Sequence, residues 1–308
     1  MDMARCYAAA MPEYEITIVD SFTTERYAGN PCAVVTRAEG LAPEQMQAIA
    51  REMNLSETAF VTPSQVADVR VRFFTPRKEI PLAGHPTIAT MHALVEQGRF
   101  EVGEEPRRIT QELNVGVLPV DLSRGDGGRV RVAMTQATPE FHQELDRAAF
   151  ADVLGISASD LLAEAPPQVI STGTRQAMIP VRSLAVLEQV SPDLERLAAL
   201  ETAEGYFSTH VFALETYDPA NRVHSRHFGP SSGVWEDPVT GSATGGMAAY
   251  LWRHGLLREA SYTVEQGHLM GRPGKVEVEV EVEGEGDTPM VVRIAGTAVT
   301  VLRGSITI

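Results

Sequence analysis

Residues 79–98 read EIPLAGHPTIATMHALVEQG, and residues 236–255 read EDPVTGSATGGMAAYLWRHG. At an offset of 157, Glu79 meets Glu236, Pro81 meets Pro238, Gly84 meets Gly241, Thr87 meets Thr244, Leu94 meets Leu251 and Gly98 meets Gly255. Upstream the match continues at an offset of 154, where Arg72, Phe74 and Pro76 meet Arg226, Phe228 and Pro230. The chain therefore reads as two copies of one unit: a strand, a proline turn, a glycine, then a helix. The period is too long for a solenoid, so two like domains across a cleft are the natural arrangement. Each copy brings a tight glycine turn to a helix N-terminus, where backbone N–H groups lack partners and the helix dipole is positive. Two such ends aimed at one cleft would hold a small anion, most simply a carboxylate. The alternative is that both are ordinary helix starts, with Thr87 and Thr244 as first-turn structural residues.

Working outward, Tyr14–Asp20, Cys32–Thr36, Ser56–Val61, Val69–Phe74, Ile109–Leu113, Val115–Leu122 and Val130–Met134 carry strand patterns. Helices are predicted from Ala42 to Glu52, entered through Pro43, and from Pro86 to Gly98. Residues 135–165 read as a linker followed by short helices. Strands return at Met178–Val181, Tyr206–Leu214 and Val223–Phe228, with a helix from Ser242 to Gly255. In the run from Val276 to Glu283, Val and Glu alternate strictly, which predicts a strand with its valines inside and its glutamates in water. The domains are placed at 11–134 and 135–298, with a C-terminal strand at 299–308 completing the first. Residues 1–10 are expected to be a frayed extension.

The 308 residues carry 26 Lys and Arg against 41 Asp and Glu, a net charge of −15. An acidic excess of this size argues against nucleic acid or an anionic membrane as a partner. No stretch approaches the roughly 18 apolar residues of a membrane span, and the N-terminal apolar run is too short for a signal-peptide core. Cys6 and Cys32 cannot make a disulfide framework and lack zinc spacing. No paired-His metal spacing occurs, and the glycines of Gly241–Gly246 are not a phosphate loop because no Lys follows them. These features predict a cytoplasmic enzyme without metal or cofactor.

A family resemblance rests on several blocks taken together: Val19–Thr23, Gly29–Pro31, Asn54–Val61, Phe74–Thr87, Glu236–Ala243, Gln266–Gly267 and Gly271–Pro273. In this order they are similar to the PhzF-type phenazine-biosynthesis isomerase family. The resemblance implies the diaminopimelate-epimerase fold: an α+β architecture of two pseudo-symmetric domains, each a curled mixed sheet around a central helix. It also implies a homodimer.

Racemases and epimerases of that fold resemble one another in a cysteine just before each helix-entry glycine. Here those positions hold Ala83 and Thr240, which excludes a two-thiol mechanism. Glu57 at strand period shares a face with Leu55, Ala59 and Val61. A carboxylate on an apolar face resists ionisation, which suits a general acid/base near neutral pH; the alternative is a strand-end Glu reaching solvent. By resemblance Glu57 is the catalytic acid/base, assisted by His85 and Asp237, while Gly84, Gly241 and Ser242 bind substrate. Taken alone, His85 reads as a cap or packing residue and Asp237 as a turn residue. Ser242 has no partners for a nucleophile's role. Gly245 and Gly246, disfavoured inside a helix, imply close approach of another segment or a ligand. Trp235 and the insertion 231–233 are candidates for shaping the pocket.

The implied function is a cofactor-free isomerase that moves a proton between carbons of a small carboxylate-bearing substrate. In the family's best-known case that substrate is trans-2,3-dihydro-3-hydroxyanthranilate. A non-catalytic small-molecule-binding or interaction protein that keeps the cleft is the alternative.

Overall fold

The computed structural model describes residues 12–282 and 291–308. Met1–Met11, with Cys6 and the expected extension, lie outside the described residues, as does Glu283 at the end of the Val-Glu run. Among the described residues, seventeen strands form one continuous sheet that curls twice. In the first turn of the curl, Glu13–Ser21 pairs with Asn30–Val35, which runs parallel to Glu57–Thr62. The order continues through Val69–Phe74, Arg107–Leu113, Gly116–Arg124 and Val130–Thr135. The second turn runs from Glu140–Glu144 through Gln168–Ser171, Arg175–Pro180, Ser208–Ala213, Val223–Gly229 and Ser261–Gln266 to Gly274–Glu281.

One long strand, Val291–Thr307, belongs to both turns. Its Val291–Ala295 portion pairs with Glu277–Glu281, Arg293–Thr297 pairs with Arg131–Thr135 on the other edge, and the remainder pairs with Glu13–Ser21. A division at 298/299 thus falls inside an unbroken strand.

Each curl encloses one helix of the repeat, His85–Glu96 or Gly241–Arg253. Every residue from His85 to Leu94 is buried, as expected of a helix apolar all round and enclosed by sheet. The two helices end alike. Gly98 and Gly255 take left-handed backbone, φ 73° and 69°. Arg99 N–H then bonds Leu94 C=O and Leu256 N–H bonds Leu251 C=O, each at 2.9 Å. The helix Pro43–Met53 packs Met46, Ile49 and Ala50 on the outer face of the first curl. Arg147–Val153, Leu184–Gln189 and Leu194–Glu204 cover the second.

The repeat also survives as matched chemistry. Arg72 forks onto Glu79 with both contacts at 2.8 Å, and Arg226 forks onto Glu236 at 2.8 and 3.0 Å. Each guanidinium also lies over a phenyl ring, Phe74 at 5.2 Å and Phe228 at 5.0 Å. Thr87 and Thr244 bond back to the carbonyls of Ala83 and Thr240, a first-turn structural role in both copies.

One expectation needs correction and another gains a detail. Residues 140–144, read as linker, form a strand beside Gln168–Ser171. Its residues are exposed or half-exposed, so an edge position removed the apolar signal that marks a strand. The glutamates of the Val-Glu run lie on the outer face but are paired: Glu277 and Glu279 flank Arg131 at 2.5 and 2.7 Å, and Glu281 meets Arg293. Val276, Val278 and Val280 are buried.

Candidate active site

The starts of the two enclosed helices face one another. A Cβ placed on Gly84 would lie 3.6 Å from Ser242 N and 4.0 Å from Gly241 Cα. Gly84 and Thr240 occupy the N-cap positions, neither caps with its side chain, and neither first turn holds an acidic residue. Helix geometry therefore leaves the N–H groups of His85, Gly241, Ser242 and Ala243 without intrahelical acceptors at two unneutralised positive ends. Gly241 has no room for a side chain, because a Cβ there would fall 2.5 Å from Ile294 Cδ1 and 2.8 Å from Phe22 Cζ. Close approach likewise explains the two helix-interior glycines: a Cβ on Gly245 would meet the Gln136 side chain at 2.8 Å, and one on Gly246 would meet Met178 Cε at 2.9 Å.

Glu57 opens its strand beside Cys32 of the parallel neighbour. Its Oε2 lies 3.3 Å from His85 Nε2. Both atoms are buried and neither has a hydrogen-bond partner, so the two orphans face one another without the geometry of a bond. Burial, reinforced by the Asp237 carboxylate, pushes the Glu57 carboxyl from 4.5 up to about 8. Burial drives His85 the other way, to about 3, so the imidazole is neutral. Asp237 is raised by burial only to about 6, because Thr240 and Asn30 donate to it. At neutral pH Glu57 thus keeps its proton most of the time while Asp237 is ionised, a pair whose environments set their roles apart.

Asn30 joins the pieces. Its Nδ2 lies 2.8 Å from Asp237 Oδ1, 2.9 Å from Val239 O and 3.1 Å from His85 Nδ1. The amide has two hydrogens, and the carboxylate and carbonyl can only accept, so they take both. Ser56 Oγ donates to Asn30 Oδ1 at 3.3 Å. Arg272 clamps the turn before Asn30 through the carbonyls of Ala28 and Gly29 and the buried Asp20 carboxylate at 2.7 Å. Gln266 secures the opposite wall, donating to Asp237 O at 2.8 Å and accepting from Thr240 N at 3.1 Å.

All six residues singled out in the sequence (Glu57, His85, Asp237, Gly84, Gly241 and Ser242) meet at this junction. Asn30, Gln266 and Phe22 were not singled out as site residues. Only their place in the quoted blocks marked Asn30 and Gln266. Trp235 is 60% exposed, and the insertion meets the first curl through Arg77, whose guanidinium packs on Gly233. Cys32 is fully buried beside Glu57, and burial holds its thiol well above 9, so it offers no thiolate. Outside the junction, His224, Glu265 and His268 form the one group of metal-ligating side chains among the described residues. No described helix is long and apolar enough to cross a membrane.

The chain and its fold have known relatives. Residues 19–304 match the family model described as phenazine biosynthesis-like protein. The chain is 37% identical to the uncharacterised isomerase YfhB of Bacillus subtilis, over 87% of this chain and 91% of that one. It is 34% identical to trans-2,3-dihydro-3-hydroxyanthranilate isomerase of Pseudomonas chlororaphis, over 95% and 99%. A PhzF-family crystal structure from Bacillus anthracis superposes with a TM-score of 0.89 at 35% identity, covering 97% of this chain and all of that one. A hydroxyproline epimerase from Agrobacterium vitis shares the fold at a TM-score of 0.62 and 14% identity, over 96% and 93%. With its enclosed helices, its paired helix ends and these relatives, this chain belongs to the PhzF-type, phenazine biosynthesis-like family and is an isomerase.

Proposed function

We propose that the junction binds a small carboxylate-bearing substrate and that Glu57 moves a proton between two of its carbons without a cofactor. The facing orphan atoms of Glu57 and His85 carry this reading. Buried polar atoms without partners are costly, and in a ligand-free site such contacts often close only when substrate arrives. The two uncapped helix starts would receive the carboxylate through the N–H groups at His85, Gly241 and Ser242, with the Ser242 hydroxyl beside them. Glu57 in its ionised form takes the proton from carbon, and the resulting carboxylic acid returns it to another carbon on the same face. His85 would hydrogen-bond the substrate where charge develops. Asp237, ionised at neutral pH, would hold an amino or hydroxyl substituent. Net protonation of the enzyme is unchanged over the cycle.

The relative's named reaction makes trans-2,3-dihydro-3-hydroxyanthranilate the first substrate to try, within a panel of cyclic and amino-acid-like carboxylates. The test follows the reaction in D₂O by NMR with wild type and Glu57→Gln. Turnover that survives in the variant at the wild-type rate would remove Glu57 from the mechanism. A cytoplasmic homodimer is the proposed setting, and light scattering measures the assembly.

A further inference from the structure

His224, Glu265 and His268 lie on the opposite side of the sheet from the junction. His224 and Glu265 are register partners on parallel strands, and the next pair along, Ser225 and Gln266, faces inward. Gln266 reaches Asp237; Glu265, one residue earlier, therefore points outward. One ligating atom from each of His224, Glu265 and His268 lies within 4.8 Å of the others. Within that group His224 Nδ1 and Glu265 Oε2 are 3.1 Å apart, and the two imidazole rings are 4.9 Å apart between centroids.

We propose that these three side chains form a divalent transition-metal site, suited to zinc. Three observations support it. First, two imidazoles and a carboxylate are a common zinc donor set, which leaves a fourth position for water. Second, His268 Nδ1 is buried and has no hydrogen-bond partner, so a nitrogen lone pair or N–H is held unused beside the other two groups. Third, Glu265 is already fixed by groups that would form the outer shell. Its oxygens accept from Tyr217 N at 3.0 Å, Asp218 N at 2.9 Å and Asn221 Nδ2 at 2.5 Å, and metal-bound carboxylates are hydrogen-bonded in this way.

Ligands on a tetrahedral zinc stand ~3.3 Å apart, given bonds of about 2.0–2.2 Å. His224 and Glu265 are already at that separation. His268 closes the remainder by moving on its short turn, His268–Met270, which is flanked by Gly267 and Gly271 at positive φ. Tyr217, whose ring packs on both imidazoles, and Leu269 are 44% and 46% exposed, so the cluster lies just beneath the surface. On binding, the proton that His224 Nδ1 shares with Glu265 moves to Nε2, and the ion takes its place between the two. Because Gly267 is wedged against the carbonyls of Pro238 and Arg272, a metal at His268 would brace the turn that carries Gln266.

The test is calorimetric titration of Zn²⁺ into chelator-treated full-length protein, with Co²⁺ absorption as a geometry probe and Mg²⁺ as a control. Wild type should take one equivalent of Zn²⁺, give the intense visible bands of four-coordinate Co²⁺, ignore Mg²⁺, and melt at a higher temperature with zinc. His268→Ala removes a ligand from an exposed turn and should weaken Zn²⁺ at least ~100-fold. Asn221→Ala, which removes an outer-shell bond, should weaken it ~10–100-fold. If His268→Ala and a His224→Ala/His268→Ala double variant, both folded by circular dichroism, bind Zn²⁺ as wild type does, the site does not exist. Absence of any stoichiometric Zn²⁺ in wild type overturns it equally. Neither outcome bears on the role of Glu57.

Discussion

Replacing Glu57 with Gln should abolish turnover and make the protein more stable, by an amount that grows with pH. The carboxyl sits at about 8 in the folded chain against 4.5 when unperturbed. Between those values the folded state holds a proton that the unfolded state has released, so wild-type stability falls as pH rises through that window. At ~1.4 kcal/mol per tenfold change, the charge on Glu57 costs the folded state roughly 3–5 kcal/mol once the pH passes 8, and nothing below about 4.5. Gln is nearly isosteric and never ionises. The stability difference between variant and wild type should therefore open from near its acid-limit value at about pH 5 to a few kcal/mol by about pH 9. Urea unfolding at pH 5, 6, 7, 8 and 9, with matched m-values, measures it. In the same variant the proton-transfer step should slow at least ~10²–10⁴-fold, the usual worth of a positioned acid/base. If the two stability curves run parallel across the series, Glu57 does not carry a raised pKa. If they diverge while turnover survives, Glu57 is strained but is not the base.

Further expectations come from the neighbouring groups. In wild type, kcat/KM should climb with pH until about 8, where Glu57 ionises, with a steeper limb below about 6 from Asp237; Asp237→Asn should remove the steeper limb, read from the pH–rate profile. Asn30→Ala should cost about 1–3 kcal/mol in urea unfolding, because Val239 O and Asp237 Oδ1 lose a buried donor, and it should lower kcat by releasing the Asp237 side chain. Gly241→Ala forces a methyl against Ile294 and Phe22, and should cost about 1–3 kcal/mol of stability and raise KM for the carboxylate. Elimination of the fork in the second copy by Arg226→Leu should cost about 1–3 kcal/mol, because the buried carbonyls of Leu187 and Val190 lose their donor along with the pair to Glu236.

The repeat was legible because identical physical demands recur in both copies. A glycine must enter each enclosed helix, a left-handed glycine must end it, and an Arg–Glu fork must tie the preceding hairpin. Such demands leave the same residue types at the same spacing, so the enclosed helices and most strands could be placed from residues alone. Glu57 stood out as a charge at an apolar strand position, a pattern that a strand-end Glu reaching solvent fits as well, and the resemblance singled it out. What escaped was whatever depends on contact between distant segments. Asn30 becomes a hub only when Asp237 and Val239, more than two hundred residues away, arrive beside it. Phe22 fills the space over Gly241 and also over Gly296, where a Cβ would fall 2.5 Å from its ring, and no local pattern announces that. The edge strand Glu140–Glu144 escaped because its side chains are largely in solvent, and the Gly245 and Gly246 positions named their need for space without naming Gln136 or Met178 as the occupants.

The strand Val291–Thr307 has a consequence for how the molecule is made. Glu13 lies opposite Thr307 and Ser21 opposite Ala298, so this edge of the strand Glu13–Ser21 is unmatched during synthesis until nearly three hundred further residues have been made. The first curl cannot close as an early, independent folding unit, although its sequence is almost entirely contained in the first half. During synthesis it must wait with an open backbone edge, the condition that invites pairing with a neighbouring chain. Folding should accordingly be slow and sensitive to concentration, as expected where the decisive contacts are the most distant in sequence. Residues 298–307, which touch none of the junction's side chains described above, would thus decide when the first curl closes and when its wall of the junction forms.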